Sequence, residues 1–304
     1  MNQPIRFRNI INQPILIQIG FILGKTLTRN NGLSFADWVG TRLGKMKRIA
    51  MVKAIRANQW VIHDKDLTEE ELDAKPETVF RSAARCMFDF FYYLTRAEEL
   101  QSVVDLSPRA LSVMERIQNK QPCVVVCPHL SNFELMGYVL ALHNVDVQVL
   151  SYPKPNISYK QQNKLRKNLG IQVTPMSMQA FRQARARLRQ GGSILTGLDR
   201  PLSSEHLEKY VPTFFGHQAN LPVVHVRMAK EANAPVFVLA STSQPSGRYR
   251  LESSDPIWMK SNNDLEKEIL SNANRVLEEA ESLIKTYSDQ WAMFYPVWPQ
   301  FLGI

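Results

Sequence analysis

The amino-acid sequence predicts an α/β protein: a single domain with a mixed, mainly parallel central sheet flanked by helices, preceded by a helical N-terminal region. Two patterns carry that expectation. Before about residue 118 the apolar positions recur at helical spacing, whereas from about residue 120 short apolar runs alternate with segments of helical period. Such alternation is what the strands and covering helices of a parallel or mixed sheet produce. The 304 residues, 44% hydrophobic, suffice for a substantial core. No repeat, low-complexity run or clear linker interrupts them. The expected division is a basic, partly apolar helical segment over 1–60 and an α/β domain over 61–304.

Residues 1–60 hold ten Lys or Arg, among them Arg6, Arg8 and Lys25, against one acid, Asp37, so the formal charge of +9 resides there. A basic fifth on a neutral body implies a directed contact with anionic lipid headgroups or nucleic-acid phosphates. The apolar run Pro14–Leu23, lying between Arg8 and Lys25, favours lipid. It falls short of the roughly 20 residues needed to span a bilayer, and no small-residue cleavage pattern follows. A surface-lying anchor is therefore expected. Nucleic acid is not, since few aromatics accompany these cations and no nucleic-acid motif occurs. From Thr41 to Trp60 the chain again reads as helix, with Arg42, Lys45, Lys53 and Arg56 within about 80° of one another. A solvated face and a membrane-facing stripe both fit.

Leu67–Leu72 reads as a separate short helix with a threonine N-cap. A longer one follows over 78–94, with apolar positions at 79, 80, 83, 84, 87, 90, 91 and 94. Strands are then expected at 123–127, 145–151, 171–174, 193–198, 235–241 and 248–252. Helices are expected at 132–143, 158–168, 178–190, 221–232 and 263–287. In the last, Leu265, Ile269, Val276, Ala280, Leu283 and Tyr287 mark a stripe that packs on the sheet.

Cys127-Pro128-His129-Leu130-Ser131-Asn132-Phe133-Glu134 is the stretch richest in chemistry. It joins the apolar run Cys123–Val126 to a helical segment and places a histidine in a strand-to-helix turn. On one helix, positions five apart sit about 140° from each other, so Glu134 can meet His129 only if the histidine lies in the turn and the acid in the first helical turn. A carboxylate on Nδ1–H leaves Nε2 free as a general base for a hydroxyl. The plainer alternative is a capping box, with Glu134 reaching back to the backbone of Ser131. Cys86, Cys123 and Cys127 do not form a disulfide framework. Cys123 and Cys127 share one strand face, where small buried hydrophobes are common, although a Cys127–His129 nucleophile pair is also conceivable. No residue cluster has metal-ligand spacing and no glycine-rich phosphate loop occurs.

A second apolar strand, Ser193–Leu198, ends in Asp199-Arg200. Ligand sites of α/β sheets gather beyond the carboxyl ends of strands, so this pair belongs beside His129, with Arg200 holding a phosphate or an oxyanion. A surface turn is the alternative. Val211–Gly216 would either wall an apolar groove or pack in the core.

The HxxxxE after a strand, the later strand ending in Asp-Arg, the segment VPTFFGHQANLPVVHVRMAKEANAPVFVLA and Gln290-Trp291 occur in a telling order. Over roughly residues 40–295 the chain resembles the bacterial lipid A biosynthesis (late) acyltransferase family, within the glycerolipid acyltransferase superfamily. The resemblance implies transfer of a fatty acyl group from acyl carrier protein or coenzyme A, as co-substrate, to a hydroxyl of a membrane lipid or glycolipid, with no cofactor. It implies His129 as base and Glu134 as the acid that orients it, with Asp199 and Arg200 binding substrate. A basic block that binds phosphates matches Lys164, Arg166 and Lys167 by position, whereas Arg182, Arg185 and Arg189 read as a solvated face. The implied location is the cytoplasmic face of the bacterial inner membrane, peripheral or monotopic. A tail carrying Trp291 and Trp298, without Lys or Arg, would suit the membrane interface. The competing readings are a non-enzymatic peripheral lipid-binding protein and a thioesterase-like hydrolase.

Overall fold

The computed structural model describes residues 14–153, 157–202 and 209–303; Arg6 and Arg8 lie outside them. Four helices come first: α1 (Pro14–Thr26), α2 (Arg29–Gly44), α3 (Ala50–Ile62) and α4 (Glu69–Tyr93). The first three pack on α4. For α1 and α2 the means is a row of small residues every fourth position, Gly20, Gly24, Gly32, Ala36, Gly40 and Gly44, which a helix gathers on one face. At Gly24, Gly40 and Gly44 contact is backbone to backbone, whereas Gly20 and Gly32 receive the rings of Phe91 and Phe88. A Cβ at Gly24 would lie 2.7 Å from the Phe91 carbonyl carbon, and one at Gly40 would lie 2.5 Å from the Arg81 Cα.

Two helical expectations are corrected here. The segments 67–72 and 78–94 form one helix, α4, opened by a Thr68–Glu71 capping box and continuing through Pro76. Proline removes one backbone bond, but α3 bridges the two halves, pairing Arg56 with Glu69 and Asp73 before Pro76 and packing Val52 and Ile55 on Val79 and Phe80 after it. Conversely, 41–60 is not one helix. α2 stops where Gly44 meets the backbone of Glu77, and the chain turns over 45–49 before α3 packs Val52 and Ile55 against Val79 and Phe80. Arg42, Lys45 and Lys53 are exposed on three different stretches, and Arg56 pairs with Glu69 and Asp73.

The remainder alternates as expected, with two additions, a short hairpin and the edge strand β1 (Val104–Leu106) between α5 (Ala97–Val103) and α6 (Pro108–Gln118). Then come β2 (Val124–Cys127), α7 (Phe133–Leu142), β3 (Val147–Ser151), α8 (Ile157–Asn168), β4 (Gln172–Pro175), α9 (Met178–Arg189) and β5 (Ser193–Gly197). A two-residue hairpin, β6 (Thr213–Phe214) and β7 (His217–Gln218), precedes α10 (Val224–Glu231), β8 (Val236–Ser243), β9 (Tyr249–Ser253) and α11 (Leu265–Thr286). The seven-stranded sheet runs β1-β9-β8-β2-β5-β3-β4, parallel at every pairing except β8–β9.

β2 lies at the centre and is covered on both faces, which is why its sequence is apolar without alternation. Val124 and Val126 face a core shared with α9, α10 and α11; Cys123, Val125 and Cys127 face one shared with α6 and α7. Trp291 and Trp298 join the first of these cores at 1% exposure each, with Phe214 stacked on Trp298 at 5.7 Å. The two tryptophans are therefore core residues rather than a membrane-interface tail, and Phe214 packs inside rather than walling a groove.

Candidate functional site

Strand register brings the two halves of the site together. Cys127 of β2 and Gly197 of β5 are paired neighbours in parallel strands, so residues two positions beyond each, His129 and Asp199, emerge side by side. His129 Nδ1 lies 2.6 Å from Asp199 Oδ1, and the His129 backbone N–H donates to Asp199 Oδ2 at 2.8 Å. The indole N–H of Trp291 donates to the same Oδ2 at 2.7 Å. Asp199 is fully buried. Burial alone would raise its pKa, but the facing His129 charge and the hydrogen bonds from His129 and Trp291 overcome that and hold it below the ordinary carboxylate value. The ring of Phe133 meets the imidazole edge to face at 4.9 Å. His129 Nε2 makes no hydrogen bond among the described residues, and the side chain is 26% exposed.

The acid expected to orient His129 does something else. Glu134, in the first turn of α7, is gripped by both prongs of Arg166 from α8, through Nε to Oε2 at 2.9 Å and through Nη2 to Oε1. Arg166 also donates to Asn163 Oδ1 at 2.8 Å, and Asn163 in turn donates to Ser151 Oγ at the end of β3. Burial opposes the charge on Arg166, but the Glu134 carboxylate more than compensates and raises its pKa. A planar fork matched to a carboxylate locks α8 to α7 directly under the site. Glu134 does not close a capping box either: Asn132 is the N-cap, its Oδ1 accepting from Leu135 N at 3.3 Å, while Ser131 N donates to Gln290 O at 2.8 Å. Ser131 adopts φ +49°, which swings the chain from turn to helix. Of the basic block, Lys164 and Lys167 are exposed on α8 and only Arg166 turns inward.

The segment after α11 completes the turn. Ala292 N donates to His129 O at 2.9 Å and Leu130 bridges to Trp291, so residues 290–292 lie along 129–131 like a short added strand. The Gln290 side chain clamps both backbone groups of Ser243 at the end of β8, at 2.7 and 2.9 Å.

Two cavities meet at His129. A narrow one of about 120 Å³ runs beneath α7 between apolar side chains that include Met136, Leu140, Val147, Ile171 and Leu195. A wider one of about 830 Å³ opens on the other side, between β3, α9 and α10, and is lined by Arg185, Arg200 and Arg227 among others. Arg200 sits between the rings of Tyr152 and Tyr295, at 4.2 and 4.4 Å, and donates to Tyr295 Oη at 3.0 Å. It is thus a fixed element of the groove and not a loose surface turn. Of the arginines read as a solvated face, Arg182 and Arg189 are exposed as expected, whereas Arg185 pairs with Glu231 and borders the groove. Burial pushes the Cys127 thiol up to about 12 and its Sγ faces the Thr196 carbonyl, which removes it as a nucleophile. Among the described residues, no His, Cys, Asp and Glu cluster could hold a metal ion.

The α/β sheet thus delivers a histidine and a buried aspartate from neighbouring strand ends to the junction of an apolar channel and an arginine-lined groove. The family model for bacterial lipid A biosynthesis acyltransferases matches residues 17–300, and the chain belongs to that family. No curated protein sequence matches it. Membership makes the protein an acyltransferase acting on lipid substrates, in a family that is typically membrane-associated.

Proposed function

We propose that the protein transfers a fatty acyl group from an acyl thioester, on acyl carrier protein or coenzyme A, to a hydroxyl of a glycolipid or other lipid acceptor. The observation that carries this reading is the unengaged Nε2 of His129 at the junction of two cavities, with Nδ1 held by a buried carboxylate. The acceptor hydroxyl gives its proton to Nε2, and Asp199 stabilises the imidazolium that forms. The oxygen attacks the thioester carbon, the C–O bond forms, the C–S bond breaks, and the proton passes to the departing thiolate. No covalent acyl-enzyme is needed, because a thioester is already activated. The acyl chain occupies the channel beneath α7, and the acceptor lies in the wider groove against Arg200. Glu134 and Arg166 shape the floor between them.

Membrane seating is assigned to α1 and α2. No helix among the described residues is long and apolar enough to cross a membrane. Ile22 and Trp38 are nevertheless 61% and 57% exposed, Phe35 stacks on Trp38 at 6.0 Å, and Arg42 lies over the same indole. Exposed aromatics amid cations fit the interface of an anionic bilayer, such as the cytoplasmic face of a bacterial inner membrane.

The test supplies purified protein with a labelled acyl thioester and a bacterial lipid extract on vesicles, and follows the label by mass spectrometry. Label on a lipid hydroxyl, lost by about 10²–10⁴-fold in His129→Ala, supports the reading. Label released only as free fatty acid would make the protein a hydrolase, and undiminished transfer by His129→Ala would remove the mechanism.

A further inference from the structure

Asp89 of α4 is a carboxylate at 1% exposure that the chemistry above does not use. It is the hub of a hydrogen-bonded chain ending at the histidine turn. Arg29, the first residue of α2, donates to it twice, from Nε to Oδ1 at 3.0 Å and from Nη2 to Oδ2 at 2.8 Å. The same Nη2 donates to Gly247 O at 2.7 Å, in the turn between β8 and β9. The Tyr249 hydroxyl donates to Asp89 Oδ2 at 2.7 Å and accepts from Asn132 Nδ2 at 3.4 Å. Asn132 is the N-cap of α7, and it also donates to Cys86 O of α4 at 2.8 Å.

The direction of this chain is fixed by charge. A carboxylate held by a guanidinium fork accepts, so the Tyr249 hydroxyl donates to Asp89 and keeps a lone pair for the Asn132 amide. The two-pronged contact from Arg29 offsets the cost of burying the carboxylate. The turn it reaches is under strain, because Ser131 holds a left-handed backbone that persists only where its surroundings over-determine it. His129 tolerates little slack, since its backbone N–H and its Nδ1 both engage the same Asp199 carboxylate.

We propose that Arg29 and Asp89 are positioning residues of the acyl-transfer site, fixing through Tyr249 and Asn132 the turn that presents His129 to Asp199. This rests on the reading under Proposed function. It also ties the helix that carries Phe35 and Trp38 to the reacting imidazole.

Tyr249→Phe is the decisive variant, because the ring, 5% exposed, stays packed and only the hydroxyl is lost. Arg29→Lys keeps the charge and loses the fork. Arg29→Ala and Asp89→Asn are secondary, since an unpaired carboxylate or cation can prevent folding. Two readouts are taken: kcat and KM for acyl transfer, and the ¹⁵N signals of the His129 imidazole, which report its tautomer. In Tyr249→Phe, kcat is expected to fall about tenfold to a hundredfold, with KM changed by less than about twofold and the imidazole shifted toward a tautomer mixture. Arg29→Lys falls between. Wild-type kcat with unchanged imidazole signals in Tyr249→Phe overturns the proposal, even if its melting temperature drops. Should the wild-type chain transfer no acyl group, the acyltransferase reading fails and the imidazole signals decide alone: unchanged signals overturn the positioning role, and shifted ones uphold it.

Discussion

Trp291 and Asp199, 92 positions apart in the chain, are joined by an indole N–H donated at 2.7 Å to a fully buried carboxylate. That bond ties a residue from beyond the last long helix to the proposed acid–base pair. Replacing Trp291 with Phe leaves a buried acceptor short of a donor, at a cost of about 1–3 kcal/mol. We expect Trp291→Phe to lose stability in that range in urea and to lower kcat by roughly tenfold or more. Undiminished turnover would reduce Trp291 to a packing residue.

Asp199 and Glu134 are distinguishable by exchange. Asp199→Asn preserves shape but holds the wrong imidazole tautomer, and a fall in kcat of about 10³–10⁴-fold is expected. Glu134→Gln keeps one hydrogen bond to Arg166 and should cost far less turnover. Glu134→Ala strands the guanidinium and should cost stability of order 3 kcal/mol. Paired rate and melting measurements on all three check the division of labour. A rate loss in Glu134→Gln equal to that in Asp199→Asn, at unchanged melting temperature, would reverse it.

The depressed pKa of Asp199 makes stability depend on pH with a defined sign. A carboxyl that is more acidic in the folded state stabilises the fold fully above its unfolded pKa, ordinarily 3.8, and loses that contribution as pH falls through the lower folded value. The Asp199 contribution to the stability difference between wild type and Asp199→Asn should therefore shrink as pH falls below about 4. A gap that widens as pH falls below about 4 would contradict the arrangement. Urea titrations of both proteins across that range supply the measurement.

Ile22, Phe35 and Trp38 are proposed to meet lipid without supporting the interior. Phe35→Ser with Trp38→Ser should weaken sedimentation with anionic vesicles by at least about tenfold while leaving the melting temperature near that of wild type. High salt should weaken the remaining binding further, because Lys25 and Arg42 act through screened charge. Unchanged vesicle binding would move the seat elsewhere on the surface.

Much of this was legible in the sequence because it rests on local pattern. The unbroken apolar run of β2 marks a strand buried on both faces, and Ile269, Val276 and Ala280 mark the inner face of α11, whereas Leu265 of the same stripe is exposed in the first turn. The position of His129 in a turn also follows from local rules. Its partner does not. Glu134 and Asp199 are both acids near strand ends, and only the pairing of Cys127 with Gly197 decides which one reaches Nδ1. The available signal was that Asp199, like His129, stands just beyond the end of an apolar strand. The four-residue glycine rhythm of α1 and α2 was equally readable and explains how the N-terminal helices pack on α4. Trp291 and Trp298 show the limit of composition: aromatic residues without nearby charge suit a bilayer boundary and a protein core alike, and only tertiary packing distinguishes them.

Residues 290–292 lie along 129–131 and supply three of the bonds that hold the turn and its carboxylate in place. A polypeptide emerging from the ribosome thus carries its histidine long before the segment that locks it. Under the proposed chemistry, a chain ended before residue 290 keeps its histidine and its strands but loses the segment that fixes both the turn and the carboxylate, so competence for transfer waits on the last residues to be made.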